Sequence, residues 1–129
     1  MISVVSHKKV LGLMTVEGSV NTDSFLLFLQ KLILPNTRKG QVLVLDNWTV
    51  HHSRKLQPLL QSYGVHLLYL PPYSPELSPI ELFWGWLKLQ LKSWNGSTVE
   101  AVENGIKEAL DCIPDSHCEG WFRHCGYMD

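Results

Sequence analysis

Asp46 stands at the end of an apolar run, where a carboxylate has a defined place in a sheet. The run, Val42–Leu45, shows no alternation of polar and apolar residues, which predicts a strand buried on both faces, as in a parallel sheet covered by helices. Ligands of open α/β sheets bind outside the carboxyl ends of such strands. Asp46 is therefore a candidate for a metal or catalytic role, although Asp46 with Asn47 also suits a simple turn cap.

Glu81 is the second acidic residue whose position suggests chemistry. It falls in the first turn of a helix predicted after the next buried strand, Val65–Leu70, and 34 residues lie between it and Asp46. One strand-helix-strand unit returns the chain to the same sheet edge, where two carboxylates could bind divalent cations through hard oxygen ligands. Two cations held in this way activate water and stabilise the leaving oxygen of a phosphodiester. The alternative is structural, since Ser78 and Glu81 also fit a capping box.

The segment that leads to Glu81 is unusually rich in proline. Four of the nine residues from 71 to 79 are prolines, and each fixes its own φ angle. A helix start does not need so rigid an approach, whereas a metal ligand must be held closely in place. The loop therefore favours the functional interpretation of Glu81 over the capping box.

These motifs, in this order, resemble the DDE domain of IS630/Tc1/mariner transposases, and the bacterial IS630 branch most of all. The resemblance extends from the first hairpin to about Lys92 and implies an RNase H-like fold. It also implies three carboxylates that use Mg²⁺ or Mn²⁺ to cut and rejoin DNA. The segments that support it are Leu43–Asn47, His51, Leu67–Glu81, Trp84 and Trp86–Lys88.

The resemblance assigns roles residue by residue. Asp46 matches the second catalytic carboxylate and Glu81 the third, so both are expected to be catalytic residues and metal ligands. Asn47 and His51 match the residues that accompany the second carboxylate and are expected to support it. Ser78 stands where the family usually has Asn.

The family's first catalytic Asp has no counterpart in the sequence. In the family it lies on a strand upstream of the hairpin that begins here at Met1, and the early acids Glu17 and Asp23 do not match its motif. We therefore expect an α/β, RNase H-like mixed sheet with flanking helices that lacks its first central strand. The chain would be the C-terminal part of a catalytic domain, inactive alone unless the missing segment is supplied in trans.

Two alternatives remain open. The chain could be a non-catalytic remnant that binds nucleic acid or regulates a full-length transposase by association, because a gap in a sheet favours pairing with another chain. It could also result from a misassigned start codon, with the rest of the domain encoded upstream. The resemblance leaves the enzymatic status of the chain alone undecided, because one catalytic carboxylate is unaccounted for.

The net charge of −1 hides two parts of opposite sign. Residues 1–96 contain nine Lys and Arg and five acidic residues, whereas residues 97–129 contain two Lys and Arg and seven acidic residues. We expect residues 1–96 to form the partial catalytic domain and residues 97–129 to form a C-terminal helix and tail that pack on it. The basic part favours DNA as a partner, although a solvated helix face explains such charges equally well. The DNA-binding candidates are His52, Arg54, Lys55, Trp86, Lys88 and Lys92.

The positioning elements follow from periodicity and turn residues. The expected order is a hairpin and then alternating helices and strands, followed by two helices and an irregular tail whose Trp121 and Phe122 pack back on the body. Pro58 conflicts with a helix beginning at Ser53 and predicts a kink or a late start. The expected bounds are strands 2–5, 10–16, 42–45 and 65–70, with helices beginning near Asn21 or Thr22, near Ser53, at Pro79, and after a capping box of Ser97 and Glu100.

Composition and cysteine content bear on the compartment. The chain is 45% hydrophobic, which argues against disorder, and it has no apolar stretch long enough to span a membrane. The sequence has an odd number of cysteines, Cys112, Cys118 and Cys125, and no signal peptide, which indicates a reducing cytosol and no disulfide framework. The cysteines also lack the closely spaced pairs that are typical of structural zinc sites. We expect a bacterial cytoplasmic, nucleoid-associated protein that contacts transposon ends and target DNA, with no membrane partner.

Overall fold

The computed structural model describes residues 1–16, 18–92 and 98–128. Four strands and five α-helices are present in these ranges, which confirms the α/β class. The elements are β1 (Ile2–Val5), β2 (Val10–Met14), α1 (Thr22–Phe28), β3 (Val42–Leu45), α2 (Leu56–Ser62), β4 (His66–Tyr69), α3 (Pro79–Lys92), α4 (Val99–Asp111) and α5 (Asp115–His124).

The four described strands form two separate sheets of two strands each. β1 pairs with β2, and because only four residues connect them, the pair must be antiparallel. β3 pairs with β4 in parallel, with Leu43 opposite Leu67 and Leu45 opposite Tyr69. Helix α2 makes the crossover between them. The two pairs agree with the prediction of a sheet interrupted between the hairpin and the Asp46 strand.

The prediction that β3 and β4 are buried on both faces is wrong. Leu43 and Leu45 point into the core, whereas Val44 is 39% exposed and its partner Leu68 on β4 is 54% exposed. Because paired residues of a parallel ladder share a face, the two exposed side chains are neighbours on the same outer face. An apolar run without alternation therefore predicts a strand correctly but does not predict whether one or both of its faces are buried.

Helix α1 begins at a reciprocal cap, near the predicted start at Asn21 or Thr22. The Asn21 side chain accepts from the Ser24 N–H at 2.8 Å, and Ser24 Oγ accepts from the Asn21 N–H at 3.0 Å. After α1 the chain keeps turning through a π-helical segment, Leu29–Ile33, and a 3₁₀ turn, Leu34–Asn36. Pro35 lies within that last turn, where its missing N–H removes no hydrogen bond that the turn needs.

Helix α2 starts late, as Pro58 predicted. A 3₁₀ turn, Thr49–His52, comes first, and α2 begins only at Leu56. Pro58 then falls in the first turn, where backbone N–H groups have no partner within the helix. The helix stops before Gly64, whose φ of 70° is the left-handed conformation that glycine adopts without a Cβ penalty.

A contiguous apolar core joins the hairpin, the α1 region, β3 and α2. Phe28, Leu29, Leu56 and Leu60 are completely inaccessible to solvent in this core. Leu43 and Leu45 bring the inner face of β3 to it, so burial of the strand fixes where Asp46 emerges. The other core members are Ile2, Phe25, Ile33, Leu34, Val50 and Val65.

The C-terminal part contains three helices rather than two helices and an irregular tail. α3 packs against both α4 and α5, with Phe83 and Leu87 of α3 buried. The tail prediction is wrong because residues after Pro114 satisfy helix rules: Pro114 precedes the first turn, Asp115 lies in that turn, and Glu119 pairs with Arg123 at 2.8 Å. The prediction that the tail aromatics pack inward is confirmed for Trp121, whose ring lies 5.9 Å from Phe83.

By its packing the chain divides into two compact units. One comprises Met1–Val4 and Leu11–Pro75, and the other comprises Val5–Val10 and Glu76–Asp129. The expected boundary at residue 96 lies outside the described residues, as do Ser97 and Glu17; the helix cap next to Ser97 is Thr98, which accepts from the Ala101 N–H. Among the described residues, no helix has both the length and the apolar character needed to cross a bilayer.

Candidate functional site

Asp46 emerges directly after β3 and forms a turn through its own side chain. Its Oδ1 accepts a hydrogen bond of 3.0 Å from the Trp48 backbone N–H, so the turn-cap alternative is realised. The side chain is nevertheless 54% exposed. Among the described residues Oδ2 receives no hydrogen bond, so capping leaves one carboxylate oxygen free for a ligand.

His51 lies against the same carboxylate. Its Nδ1 is 2.9 Å from Asp46 Oδ1 and 3.3 Å from the Asp46 backbone oxygen. The ring packs on Phe25, with centroids 4.7 Å apart, and stands edge-on to Trp48 at 5.3 Å. His51, which the resemblance expects to support Asp46, is thus in direct contact with its carboxylate.

Tyr69, at the end of β4, fixes the backbone of this turn. Its hydroxyl donates a hydrogen bond to the His51 carbonyl, and burial raises the pKa of Tyr69, which keeps the donor protonated. The ring of His52 stacks on Tyr69 with centroids 4.4 Å apart. Sequence reasoning assigned no role to Tyr69 or to the half-exposed Trp48; the only signal was an aromatic residue beside each strand end.

Asn47 ties the ends of the two parallel strands together. Its Nδ2 donates a hydrogen bond of 2.6 Å to the carbonyl of Leu70, the residue that follows β4. The amide is therefore committed to the scaffold and supports the position of Asp46 through the backbone.

Glu81 lies in the first turn of α3 with its side chain exposed. Its N–H donates to the Ser78 carbonyl at 3.1 Å. Within the described part of the chain its carboxylate makes neither a hydrogen bond nor an ion pair, so the capping box considered as the alternative is not formed. The carboxylate is available to a ligand.

The two carboxylates belong to different compact units, Asp46 to the first and Glu81 to the second. Across residues 1–16, 18–92 and 98–128, no three His, Cys, Asp or Glu side chains form a cluster that could hold a metal ion. Each carboxylate by itself fits a hard divalent cation, because it offers free oxygen ligands. A shared centre of the two remains a prediction.

Three of the DNA-binding candidates lie close to Asp46 in sequence and on the surface of the first unit. His52, Arg54 and Lys55 are exposed, and His52 is held by its stacking on Tyr69. Arg54 and Lys55 have no ion-pair partner among the described residues. Their charges are therefore available to phosphates, and nothing in their contacts distinguishes this from an ordinary solvated surface.

The other three candidates lie on α3. Lys88 and Lys92 are exposed. Trp86 is only partly exposed, because its ring packs among Trp121 at 6.2 Å, Phe83 at 6.4 Å and His117 at 6.0 Å. This packing gives Trp86 a structural role in the second unit, and any contact with a nucleic-acid base is restricted to the part of the ring left open.

The chain is similar in sequence to known endonucleases and transposases. Residues 1–103 match the family model described as DDE superfamily endonuclease. The chain is 30% identical to the Tc3 transposase of Caenorhabditis elegans over 124 residues, which is 92% of this chain and 38% of that protein. It is 36% identical to the Tc1 transposase of the same organism over 83 residues, 64% of this chain and 30% of that protein.

A solved structure shows the same fold. The catalytic domain of the Mos1 mariner transposase superposes with a TM-score of 0.74 at 18% identity, covering 95% of this chain and 65% of that one. The chain therefore has the RNase H-like fold expected from its motifs. It spans less than two fifths of the length of either nematode transposase that it matches.

Proposed function

The chain belongs to the DDE superfamily endonuclease family, and on that premise we propose that it takes part in DNA transposition by metal-dependent strand cleavage and transfer. The observation that carries the proposal is the family match over residues 1–103, which includes both Asp46 and Glu81. Each of these carboxylates has oxygen atoms without partners in the described structure. We propose both as catalytic residues and metal ligands.

The proposed cofactor is Mg²⁺ or Mn²⁺. The Mos1 catalytic domain has been solved with Mg and with Mn in the presence of raltegravir, and carboxylates are the ligands that such cations take. When bound, the cations would supply an activated oxygen nucleophile and charge stabilisation for phosphodiester chemistry. The residues of this chain would hold Asp46 in place through Trp48 and His51 and present Glu81 from the start of α3.

The resemblance requires three carboxylates, and two have a match in this chain. We propose that the third comes from a segment outside these 129 residues, either an upstream part of the same product or another transposase chain. The chain alone would then be inactive. Asp46→Asn and Glu81→Gln would each remove one charged ligand and leave the third carboxylate unchanged.

We propose DNA as the macromolecular partner, both at transposon ends and at the target. The Mos1 transposase has been solved as a paired-end complex with the left transposon end. In this chain, Arg54, Lys55, Lys88 and Lys92, which form no ion pair with another described residue, offer phosphate contacts. A DNA substrate would also place the protein with the bacterial nucleoid in the cytoplasm.

The test combines plasmid nicking with metal binding. The purified chain should not nick supercoiled plasmid with Mn²⁺, whereas a product carrying these residues and the third carboxylate should, and Asp46→Asn or Glu81→Gln in that product should abolish nicking. Asp46→Asn in the 129-residue chain should weaken Mn²⁺ binding. Nicking by the chain alone that is lost in Asp46→Asn would overturn the requirement for an outside carboxylate, and nicking by the longer product that survives both substitutions would overturn the assignment of the two residues.

The second candidate function is association with another transposase chain without catalysis. The outer face of the β3–β4 sheet favours it, because Val42, Val44 and Leu68 are exposed apolar neighbours there and exposed apolar surface promotes association. Light scattering across micromolar concentrations tests this candidate. A rise in mass with concentration supports it, and a monomer at all concentrations contradicts self-association.

A further inference from the structure

We propose that His51 is a positioning residue for Asp46. The Nδ1–H group of its imidazole holds Asp46 Oδ1, and this contact turns Oδ2 outward as the oxygen that meets a divalent cation. The inference rests on the proposed function for the cation itself. It adds a specific proton, a specific carboxylate oxygen and a role that excludes Nδ1 of His51 from the metal ligands.

The location of the proton follows from the partners of Nδ1. Both atoms near it, Asp46 Oδ1 at 2.9 Å and the Asp46 backbone oxygen at 3.3 Å, are hydrogen-bond acceptors only. A ring nitrogen facing two acceptors must carry the hydrogen, which assigns the Nδ1–H tautomer from the hydrogen-bond network. A nitrogen that donates has no lone pair for a metal, so His51 cannot be a ligand through Nδ1.

The ring has little freedom to leave this position. Its side chain is 14% exposed and packs on Phe25, which is itself buried in the core. Trp48 covers a second side at 5.3 Å, and the hydroxyl of Tyr69 holds the His51 carbonyl. Contacts from α1, from the turn after β3 and from the end of β4 therefore set the direction of the Nδ1–H bond.

The consequence for Asp46 is a carboxylate with two different oxygens. Oδ1 accepts from the Trp48 N–H and lies 2.9 Å from His51 Nδ1, and two such contacts on one oxygen oppose rotation of the group. Oδ2 receives none among the described residues.

The first measurement is the tautomer of His51 in the isotope-labelled chain, by long-range ¹H–¹⁵N correlation in buffer where free imidazole is neutral. His51→Asn identifies the signal among the six histidines. The Nδ1–H pattern is expected in the wild-type chain, and Asp46→Ala, which removes the nearer acceptor, should shift the population toward Nε2–H. An Nε2–H pattern in the wild-type chain overturns the proposal.

The second measurement is Mn²⁺ binding, followed by the loss of the free Mn²⁺ signal in electron paramagnetic resonance. His51→Ala should weaken binding by about tenfold, the lower end for loss of a residue that orients a metal ligand. His51→Asn retains an N–H donor near the Nδ1 position and should recover most of the affinity. His66→Ala is the matched control, because this exposed histidine begins β4 away from Asp46.

The outcomes separate the two claims. If the wild-type chain binds Mn²⁺ and His51→Ala binds it equally well, the positioning role is overturned and the proposed metal centre stands. If the wild-type chain binds no Mn²⁺, the metal centre itself is overturned and the positioning role falls with it, even where the Nδ1–H tautomer is seen. A merely structural histidine would lower stability in His51→Ala without recovery of Mn²⁺ affinity in His51→Asn.

Discussion

The side-chain amide of Asn47 donates a hydrogen bond of 2.6 Å to the backbone carbonyl of Leu70. Asn47 lies two positions after Leu45, which ends β3, and Leu70 directly follows β4, so this bond links the carboxyl ends of two parallel strands. Leu70 in turn donates its own N–H to the carbonyl of Leu45 at 2.7 Å. The two strand ends are thus fixed beside Asp46 before the proline loop begins.

Removal of this link should lower stability. We expect Asn47→Ala to reduce the free energy of unfolding by about 1 kcal/mol, the usual net value of one hydrogen bond. Asn47→Asp should cost more, because it turns a negatively charged acceptor toward the Leu70 carbonyl. Urea unfolding measures both changes. Asn36→Ala is the control, since Asn36 bonds locally to Leu32 on the surface and should change stability less; an equal loss there would contradict the role given to Asn47.

Two glycines should respond to alanine in opposite directions. Gly64 has a φ of 70°, and a Cβ there would approach Lys39 Cγ at 2.6 Å, so Gly64→Ala should destabilise the fold by about 1–2 kcal/mol. Gly120 lies inside α5 with open space around its Cα, so Gly120→Ala should stabilise it by about 0.5–1 kcal/mol. Thermal unfolding reports both. A stabilising Gly64→Ala would show that the left-handed turn is not required.

The three cysteines should differ in reactivity. Cys112 is exposed, whereas Cys118 and Cys125 are buried, and burial raises the pKa of both buried thiols, with Asp115 adding to the effect at Cys118. A disulfide reagent should therefore modify Cys112 first. Urea-unfolded chain, in which all three react at similar rates, is the control, and Cys112→Ser should remove the fast phase.

The same raised pKa values predict a pH dependence of stability. A thiol that holds its proton more tightly in the folded chain adds to the free energy of unfolding. This contribution is fully present below the pKa of the unfolded thiol, about 8.5. Above that pH the unfolded chain ionises while the folded chain resists, so the free energy of unfolding should fall as pH rises through the folded pKa values of Cys118 and Cys125. Urea unfolding between pH 7 and pH 10, with a Cys118→Ala and Cys125→Ala double variant as comparison, measures the loss. A flat profile for the wild-type chain would contradict it.

Binding of DNA should depend on salt through a small number of phosphate contacts. If Arg54 and Lys88 each contact one phosphate, replacing either with Ala should make the slope of log K against log salt concentration less steep by about 0.9 for duplex DNA. Fluorescence anisotropy over a range of salt concentrations gives the slopes. Lys31→Ala, a change at an exposed lysine outside the candidates, should leave the slope unchanged; equal effects at all three positions would favour diffuse electrostatic attraction.

Much of the fold could be predicted from short-range sequence patterns. The hairpin strand Ile2–Val5, the late start of α2 and the start of α3 at Pro79 follow from turn residues and from what proline permits in a first helical turn. The emergence of Asp46 after β3 follows in the same way. These features depend on residues within one turn or one strand of each other, so short-range patterns suffice.

Other features depended on partners far away in the sequence. An apolar run cannot tell whether one or both faces of a strand are covered, and β3 leaves Val42 and Val44 exposed although its residues are all aliphatic. From the sequence, Trp86 is a candidate for contact with DNA, but its ring packs against Trp121 of α5. Helix α5 was missed although its residues meet local helix rules, and its packing against α3 through Trp121 joins residues far apart in the sequence.

By itself the sequence determined the family motifs, the order of the elements up to α4 and the candidates Asp46 and Glu81, because these are encoded by residue type and spacing along the chain. Only the tertiary structure decided which oxygen of Asp46 is occupied, which ring nitrogen of His51 faces that oxygen, and that Glu81 does not cap its own helix. These depend on distances between atoms that packing brings together, such as Phe25 against His51 and Tyr69 against the His51 carbonyl. Spacing along a chain can place a carboxylate at a strand end, but only the packed neighbours determine the direction in which its oxygens point.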